Sequence, residues 1–344
     1  MKKIRIIGGE KADWSVDKDR KNLEYFLSQI NSVSVTDSFW DAEIYFFVWA
    51  DLVKSPRYFF VRVIKFFFPK KKIIAWVTND ISHPKAHFTP ARCVDLFISP
   101  NSKVSALFED NGLAYIQIPF YVSSKTFQRS PLDREALAKE LKVNLASVAG
   151  KVLVGSFQRD SLGADLSQSK WQKNPELFIS ILSQFPRDEV VLVLAGPRRH
   201  YLVRRCEEEH IPYIFVGDKK YIDQGVDDMA YNNLDEKTVS QLYSFVDLYL
   251  ITSESEGGPK AVLESSLTRT LICSTNVGLA PDFLDPNLLY TKDDTGNVFH
   301  ILKMIQAHDP QLQSFIDSNY KNVFAVLNDD TYLNLIKSAV ERVA

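Results

Sequence analysis

This 344-residue chain is poor in cysteine, with three, and equally poor in methionine. Cys93, Cys206 and Cys273 stand far apart and form no Cys-x-x-Cys pair. They therefore offer neither a disulfide framework nor a thiolate metal site, and they read as free thiols in a reducing cytoplasm. No run reaches the roughly 18 unbroken apolar residues of a membrane-spanning helix. There is no G-x-G-x-x-G run, which excludes the dinucleotide fingerprint. No Arg-rich arm, zinc-finger spacing or recognition-helix pattern points to nucleic acid as a partner. Met1 to Gly8 is too short and too charged for a signal peptide and reads as a first strand. No internal repeat or low-complexity stretch stands out.

What is present is ordinary for a globular protein, with 45% hydrophobic and 24% charged residues and length enough for two cores. The formal charge of −2 conceals an asymmetry. Residues 1–150 hold 22 Lys and Arg against 16 Asp and Glu, whereas the remainder holds 19 against 27. A basic half joined to an acidic half implies that one face meets something anionic.

Short apolar runs alternate with helical patterns along the whole chain: Lys3–Ile7, Glu43–Trp49, Lys72–Val77 and Val94–Ile98, then Lys151–Val154, Val190–Ala195, Tyr213–Val216, Val246–Ile251 and Leu271–Cys273. This spacing predicts α/β architecture, with parallel sheets and helices on both faces. A polar stretch across residues 119–150 reads as the linker between two domains. Pro175 and Asp235 mark helix starts.

The densest motif is Glu256-Gly257-Gly258-Pro259-Lys260-Ala261-Val262-Leu263-Glu264, set between two of these apolar runs. Pro259 suits a first helical position, the two glycines let a ligand approach the backbone, and the first amides of the helix form an anion seat. Glu264 would lie about one and a half turns into the helix and Glu256 in the turn before it, so both can face one ligand. Carboxylates accept from hydroxyls and repel phosphate, which predicts a ligand that is part phosphate and part polyol. The same two glutamates on a solvated helix face would carry no function.

This frame resembles the E-x7-E signature of retaining glycosyltransferases with the GT-B fold. Ser253-Glu254-Ser255 and Thr275-Asn276-Val277-Gly278 resemble its surroundings in glycosyltransferase family 4. The likeness runs over most of residues 151 to 285, while over the first 150 residues it is architectural. It implies two doubly wound, Rossmann-like domains facing across a cleft: an acceptor-binding domain over 1–130, a nucleotide-sugar domain over 150–325, and a terminal helix over 326–344 that packs back on the first. It further implies that Glu256 contacts the donor sugar and Glu264 the ribose. Arg159 and Lys173 match by context the arginine and lysine that grip the diphosphate. Their spacing is longer than the usual R-x4-K, and Lys170 competes for the lysine role. Fixed cations of this kind stabilise a leaving diphosphate without a metal. No Asp-x-Asp motif of the sort that holds a metal is evident, so no cofactor is expected and the nucleotide sugar is a substrate. Gly257, Gly258, Pro259 and Lys260 complete the donor seat. Gly196 ends a neighbouring strand, and Tyr231, in the polar loop 218–234, is a place for a base to stack.

Gly8 and Gly9 follow the first strand; the resemblance has such a loop face donor and acceptor, and a plain βα turn would need glycine equally. Thr78-Asn79-Asp80-Ile81-Ser82-His83-Pro84 lies at a strand end, where open α/β sheets bind ligands. Asp80 and His83 are candidates there for proton handling or hydroxyl binding. Residues 55–72 set six aromatics among Arg57, Arg62 and Lys65 and close on Lys70 to Lys72. Such a segment either lies in an anionic membrane surface or forms a buried crossover helix with a solvated basic end. The expectation is a retaining, metal-independent glycosyltransferase that moves a sugar from a nucleotide-diphosphate donor to a saccharide or lipid-linked acceptor, in envelope polysaccharide, lipopolysaccharide or capsule synthesis. Its expected location is the cytoplasm, peripheral on the inner face of the membrane. A sugar-nucleotide epimerase of the same fold and a non-catalytic nucleotide-sugar-binding scaffold remain as alternatives.

Overall fold

The computed structural model describes residues 1–9, 15–81 and 92–343; His83 lies outside the described residues. The chain forms two compact units, Met1–Tyr121 together with Val326–Ala344, and Val122–Ala325.

The first unit runs β1 (Lys2–Ile7), α1 (Ser15–Ser28), β2 (Val33–Val35), β3 (Ile44–Phe47), α2 (Phe59–Phe67), β4 (Lys72–Trp76), β5 (Leu96–Ser99), α3 (Ser102–Asp110) and β6 (Tyr115–Gln117). Its sheet is parallel, in the order β2-β1-β3-β4-β5-β6. Tyr45, Phe47, Ile73, Ala75 and Phe97 turn to one face, against Val61 and Ile64 of α2 and Val104 and Phe108 of α3. These helices form because their apolar residues recur on one side, and α3 is also capped: Asn101 accepts from the Val104 amide at 2.9 Å and opens it. A helix over Asp329–Glu341 belongs to this unit. Its Tyr332 lies 4.9 Å from the Phe26 and Tyr121 rings and donates to the Pro119 carbonyl at 2.8 Å.

The basic aromatic segment divides its side chains between interior and surface. Only Val61 and Ile64 of α2 are buried. Phe66, Phe67 and Phe68 are 80%, 69% and 51% exposed, and Phe59 and Phe60 are exposed as well. Much of the positive charge, by contrast, is spent internally. Lys65 bonds both Asp95 carboxylate oxygens at 2.8 Å, and Lys71 donates to the carbonyls of Trp40 and Ala42. Lys72 also reaches Asp95, at 3.3 Å. Arg57 and Lys70 are the exposed cations of the segment.

The second unit runs α4 (Arg134–Glu140), β7 (Val152–Ser156), α5 (Pro175–Leu182), β8 (Val190–Ala195), α6 (His200–Glu208), β9 (Tyr213–Val216), α7 (Lys220–Asp223), α8 (Glu236–Phe245), β10 (Leu248–Ile251), α9 (Lys260–Leu267), β11 (Ile272–Thr275), α10 (Ala280–Phe283), β12 (Leu289–Tyr290), α11 (Gly296–Gln306) and α12, whose range Gln311–Leu327 passes into the first unit. The sheet is parallel, in the order β12-β11-β10-β7-β8-β9. Val152, Val154, Leu192 and Leu194 pack on α5, α6 and α11. Leu153, Val191, Val193 and Ala195 pack on α4 and α8 on the opposite face. Strands buried on both faces read as unbroken apolar runs, which is why they stand out in the sequence. Strand order reverses at β7, so the loops that leave β7 and β10 part to opposite faces and leave a crevice at the strand ends.

Two local expectations change. Pro259 caps α9 from outside rather than occupying its first turn, with φ −67° and ψ 105°. The stretch 218–234, read as loop, contains the short helix α7.

Candidate functional site

The loop after β10 enters the crevice with Thr252 and Ser253, both buried. The Thr252 hydroxyl donates to the Lys173 carbonyl at 2.9 Å, and the Thr275 hydroxyl at the end of β11 donates to the Ser253 carbonyl at 2.6 Å. These bonds hold the segment before α5 against the segment before α9. The result is that Lys173, 83 residues away in sequence, forms an ion pair with Glu256. Both side chains are largely withdrawn from solvent, 18% and 14% exposed. The Ser253 hydroxyl donates to the same Glu256 oxygen at 2.9 Å. A carboxylate held from two sides has a fixed direction, which an exposed helix-face glutamate lacks.

Glu264 sits five residues into α9 and accepts from the Tyr243 hydroxyl at 2.9 Å. Tyr243 is buried on α8, and burial, reinforced by the Glu264 charge, pushes its phenol well above the usual range, so it keeps its proton and donates. The Tyr243 ring lies edge-on to Tyr249 and Phe157, with centroids at 4.9 and 5.3 Å. The Tyr249 oxygen accepts from the Phe157 amide at 3.2 Å, and burial raises its pKa to about 12. An aromatic brace therefore connects Glu264 to the end of β7. Tyr243 carries no local signal, because its partner is 21 residues away on another helix.

No side chain caps the first turn of α9, and Gly257 is buried beside it while Gly258 and Lys260 are half-buried. An uncapped helix start is where anions bind. Gly278 fixes its position. Its φ of +54° suits glycine, and a Cβ there would stand 2.7 Å from Pro259 Cδ and 3.0 Å from the Glu256 carbonyl oxygen. Beside this turn a pocket of about 250 Å³ is lined by Ser253, Thr275, Asn276 and Lys292 among others.

Arg159 and Lys170 are on the β7–α5 loop and sit close enough for Arg159 to oppose the charge of Lys170. Gly196 ends β8 with φ +85°, and a Cβ there would come 3.3 Å from the Phe157 carbonyl. Tyr231 is exposed and stacks on Tyr221, centroids 3.9 Å apart and planes at 10°. One of its faces is therefore taken by protein. Beneath the crevice Asp160 and Arg199 form a fully buried pair at 3.1 Å; burial raises Asp160, and Arg199 opposes that rise.

Gly8 and Gly9, with φ near +121° and +129°, line a pocket of about 770 Å³ inside the first unit. Arg5, Arg20, Arg57, Phe39 and Phe60 contribute to its walls. Asp80 pairs with Lys103 at 3.6 Å. The one Asp-x-Asp run of the chain, Asp17-Lys18-Asp19, lies within α1, where residues two apart point in different directions.

No protein-family model matches the chain, and no curated protein matches it in sequence. Solved structures do. HepE of Anabaena in complex with UDP-glucose is 15% identical with a TM-score of 0.71, over 98% of this chain and 99% of that one. The sucrose-phosphate synthase of Thermosynechococcus elongatus is 11% identical with a TM-score of 0.67, over 100% and 99%. The lipopolysaccharide outer core galactosyltransferase WaaB is 15% identical with a TM-score of 0.62, over 99% of both chains. At such identities the likeness is one of fold: the two doubly wound units of this chain have the GT-B architecture.

Proposed function

We propose that this chain is a retaining glycosyltransferase that uses a nucleotide-diphosphate sugar. The observation that carries the reading is the pair of oriented glutamates at the strand-order reversal of the second unit, Glu256 held by Lys173 and Ser253 and Glu264 held by Tyr243. Between them lies an uncapped helix start flanked by cations, the surroundings a sugar nucleotide needs. In this reading Glu264 accepts from ribose hydroxyls and Glu256 from the donor sugar. Arg159, Lys173 and the amides of α9 balance the diphosphate as the sugar bond breaks, with no metal required. No carboxylate is assigned as a covalent nucleophile, and the leaving phosphate receives the acceptor proton on the same face. The likeness of fold to HepE, whose structure holds UDP-glucose, and to WaaB supports the reaction class.

The first unit would hold the acceptor, with the Gly8–Gly9 pocket supplying cations and aromatic walls suited to an anionic or lipid-linked saccharide. The outward aromatics of α2 would rest in a membrane surface. Among the described residues no helix is long and apolar enough to cross a membrane.

The deciding experiment is a thermal-shift panel of UDP, GDP, ADP, TDP and CMP with their sugars, followed by product analysis of the responding donor with and without saccharide acceptors. One diphosphate should stabilise the protein, and transfer should require the acceptor and survive EDTA. Glu256→Gln should lower turnover at least about a hundredfold with nucleotide affinity kept within a few fold, since its role is in the reaction rather than in holding the nucleotide. Binding without turnover in the wild type would overturn the enzymatic reading, and conversion of donor without acceptor would favour an epimerase.

A further inference from the structure

The pocket of the first unit exists because an edge strand stops early. β2 pairs with β1 only as far as Ile4, whose carbonyl accepts from the Thr36 amide at 2.9 Å. Beyond that point a side chain serves the edge of β1: Arg20 of α1 donates to the carbonyls of Ile6 and Gly8 at 3.4 and 2.8 Å. The space so left, about 770 Å³, runs along β1 from Arg5 to Gly9. Pockets of this size hold small molecules.

Its walls carry four cations, Arg5, Arg20, Lys21 and Arg57, against two carboxylates, Asp17 and Glu24. Glu24 is already held by Arg20 at 2.8 Å, and Asp17 is only 9% exposed. The Arg5 guanidinium is fixed in place. It lies 3.7 Å from the centroid of the Phe39 ring, and its Nη1 donates to the Asp37 carbonyl. The Asp37 carboxylate, 3.4 Å from the same nitrogen, is fully exposed, so water weakens its hold on that charge. Arg5 Nε has no partner among the described residues. Arg57 lies 5.6 Å from the Tyr58 ring, and its guanidinium makes no hydrogen bond or ion pair among the described residues. Phe60, exposed, stands edge-on to Phe39 with centroids 4.7 Å apart. The pocket therefore offers an apolar wall beside a surplus of positive charge. The wall suits the C–H face of a sugar ring, and guanidinium forks match a carboxylate or phosphate at two points.

We propose that this pocket binds an acidic saccharide, its sugar ring against Phe39 and Phe60 and its carboxylate or phosphate met by Arg5 and Arg57. The inference rests on the reading of the first unit as the acceptor side and deepens it, since the acceptor must then carry its charge beside a sugar ring. Arg5 precedes Gly9 by four residues, about 13 Å of extended strand. Ligands of such sheets meet at the strand ends, so the charged group is an anchor set back from the reacting hydroxyl, and it acts on binding.

The test is a ligand-observed NMR titration without nucleotide, on wild type, Arg57→Gln and Arg5→Gln. The probes are glucuronate, galacturonate and glucose 1-phosphate, with glucose, galactose and inorganic phosphate as controls. An acidic sugar should bind at least about tenfold more tightly than its neutral counterpart, as one charge-assisted hydrogen bond provides. The preference should vanish in Arg57→Gln and shrink as salt is added. A preference for a uronate assigns a carboxylate sugar, and one for glucose 1-phosphate assigns a phosphate-linked saccharide. Equal binding of acidic and neutral sugars would overturn the inference, as would a preference that survives in both variants. Inorganic phosphate binding as tightly as glucose 1-phosphate would overturn the saccharide half. Should Arg5→Gln fail to fold, Arg57→Gln, whose side chain is exposed, decides alone. In transfer assays Arg57→Gln should raise KM for an acidic acceptor about tenfold. Transfer to neutral acceptors only would overturn the inference and leave the proposed function standing, whereas an acidic preference in a protein that binds no nucleotide would keep the pocket and remove the proposed function.

Discussion

The Tyr243 hydroxyl helps to orient Glu264. The Tyr243 oxygen, 2.9 Å away, is buried and protonated, and its ring is locked against Tyr249 and Phe157. Tyr243→Phe removes that donor while leaving the packing volume almost unchanged. The expected result is a loss of about 1–2 kcal/mol in stability, the cost of removing one hydrogen bond to a charged group. Nucleotide affinity should fall several-fold in parallel. Denaturant unfolding and a nucleotide titration on the same variant check both halves. A stability loss with unchanged affinity would make Glu264 a structural residue and no ribose contact.

At the scale of elements, the start of α9 is positioned by its neighbour and not by a cap of its own. Gly278→Ala would force a Cβ to within 2.7 Å of Pro259 and place alanine at a left-handed φ of +54°. The strain should cost about 1–3 kcal/mol, and relieving it should shift the Glu256–Pro259 turn, so stability and donor affinity should drop together. Gly150→Ala is the control: φ is +74° but no atom lies within 4 Å, so only about 1 kcal/mol of stability should be lost and binding should not change. The other element to which the proposed function gives an outward role is α2. Since Lys65 is committed to Asp95, membrane affinity should depend chiefly on Phe66, Phe67 and Phe68. Replacing all three with serine should abolish sedimentation with anionic liposomes and leave the melting point within a degree or two, because these rings are exposed. Lys65→Glu, by contrast, should destabilise the fold. Retained liposome binding by the triple variant would sink the membrane reading.

For the whole molecule, the chain leaves the first unit at Tyr121 and comes back to it at Val326. Tyr332 secures the return, 1% exposed between Phe26 and Tyr121. Tyr332→Ala should cost about 3–5 kcal/mol, as for other large buried rings. With two units a single melting point need not describe unfolding. Scanning calorimetry should therefore show one transition lowered, while the transition of the second unit, the one that the proposed donor site would make respond to nucleotide, stays in place. Movement of both by the same amount would mean that the units unfold as one.

The parallel sheets, several helix starts and the Glu256–Glu264 turn were legible in the sequence because each depends on residues a few positions apart. Val190–Ala195 reads as an apolar run since both its faces are covered, and Asp235 reads as a cap since it bonds the Thr238 amide three residues on. Short-range periodicity and capping chemistry determine such features before any tertiary contact forms. What the tertiary structure alone decided is which charges are spent and which remain. Lys65 meets Asp95 across 30 residues, Lys173 meets Glu256 across 83, and Glu264 meets Tyr243 across 21. Coulomb and hydrogen-bond energies depend on distance in space, and separation along the chain carries no record of it. Sequence spacing therefore left Lys170 and Lys173 as equals, and only folding, by giving one of them a carboxylate, set them apart.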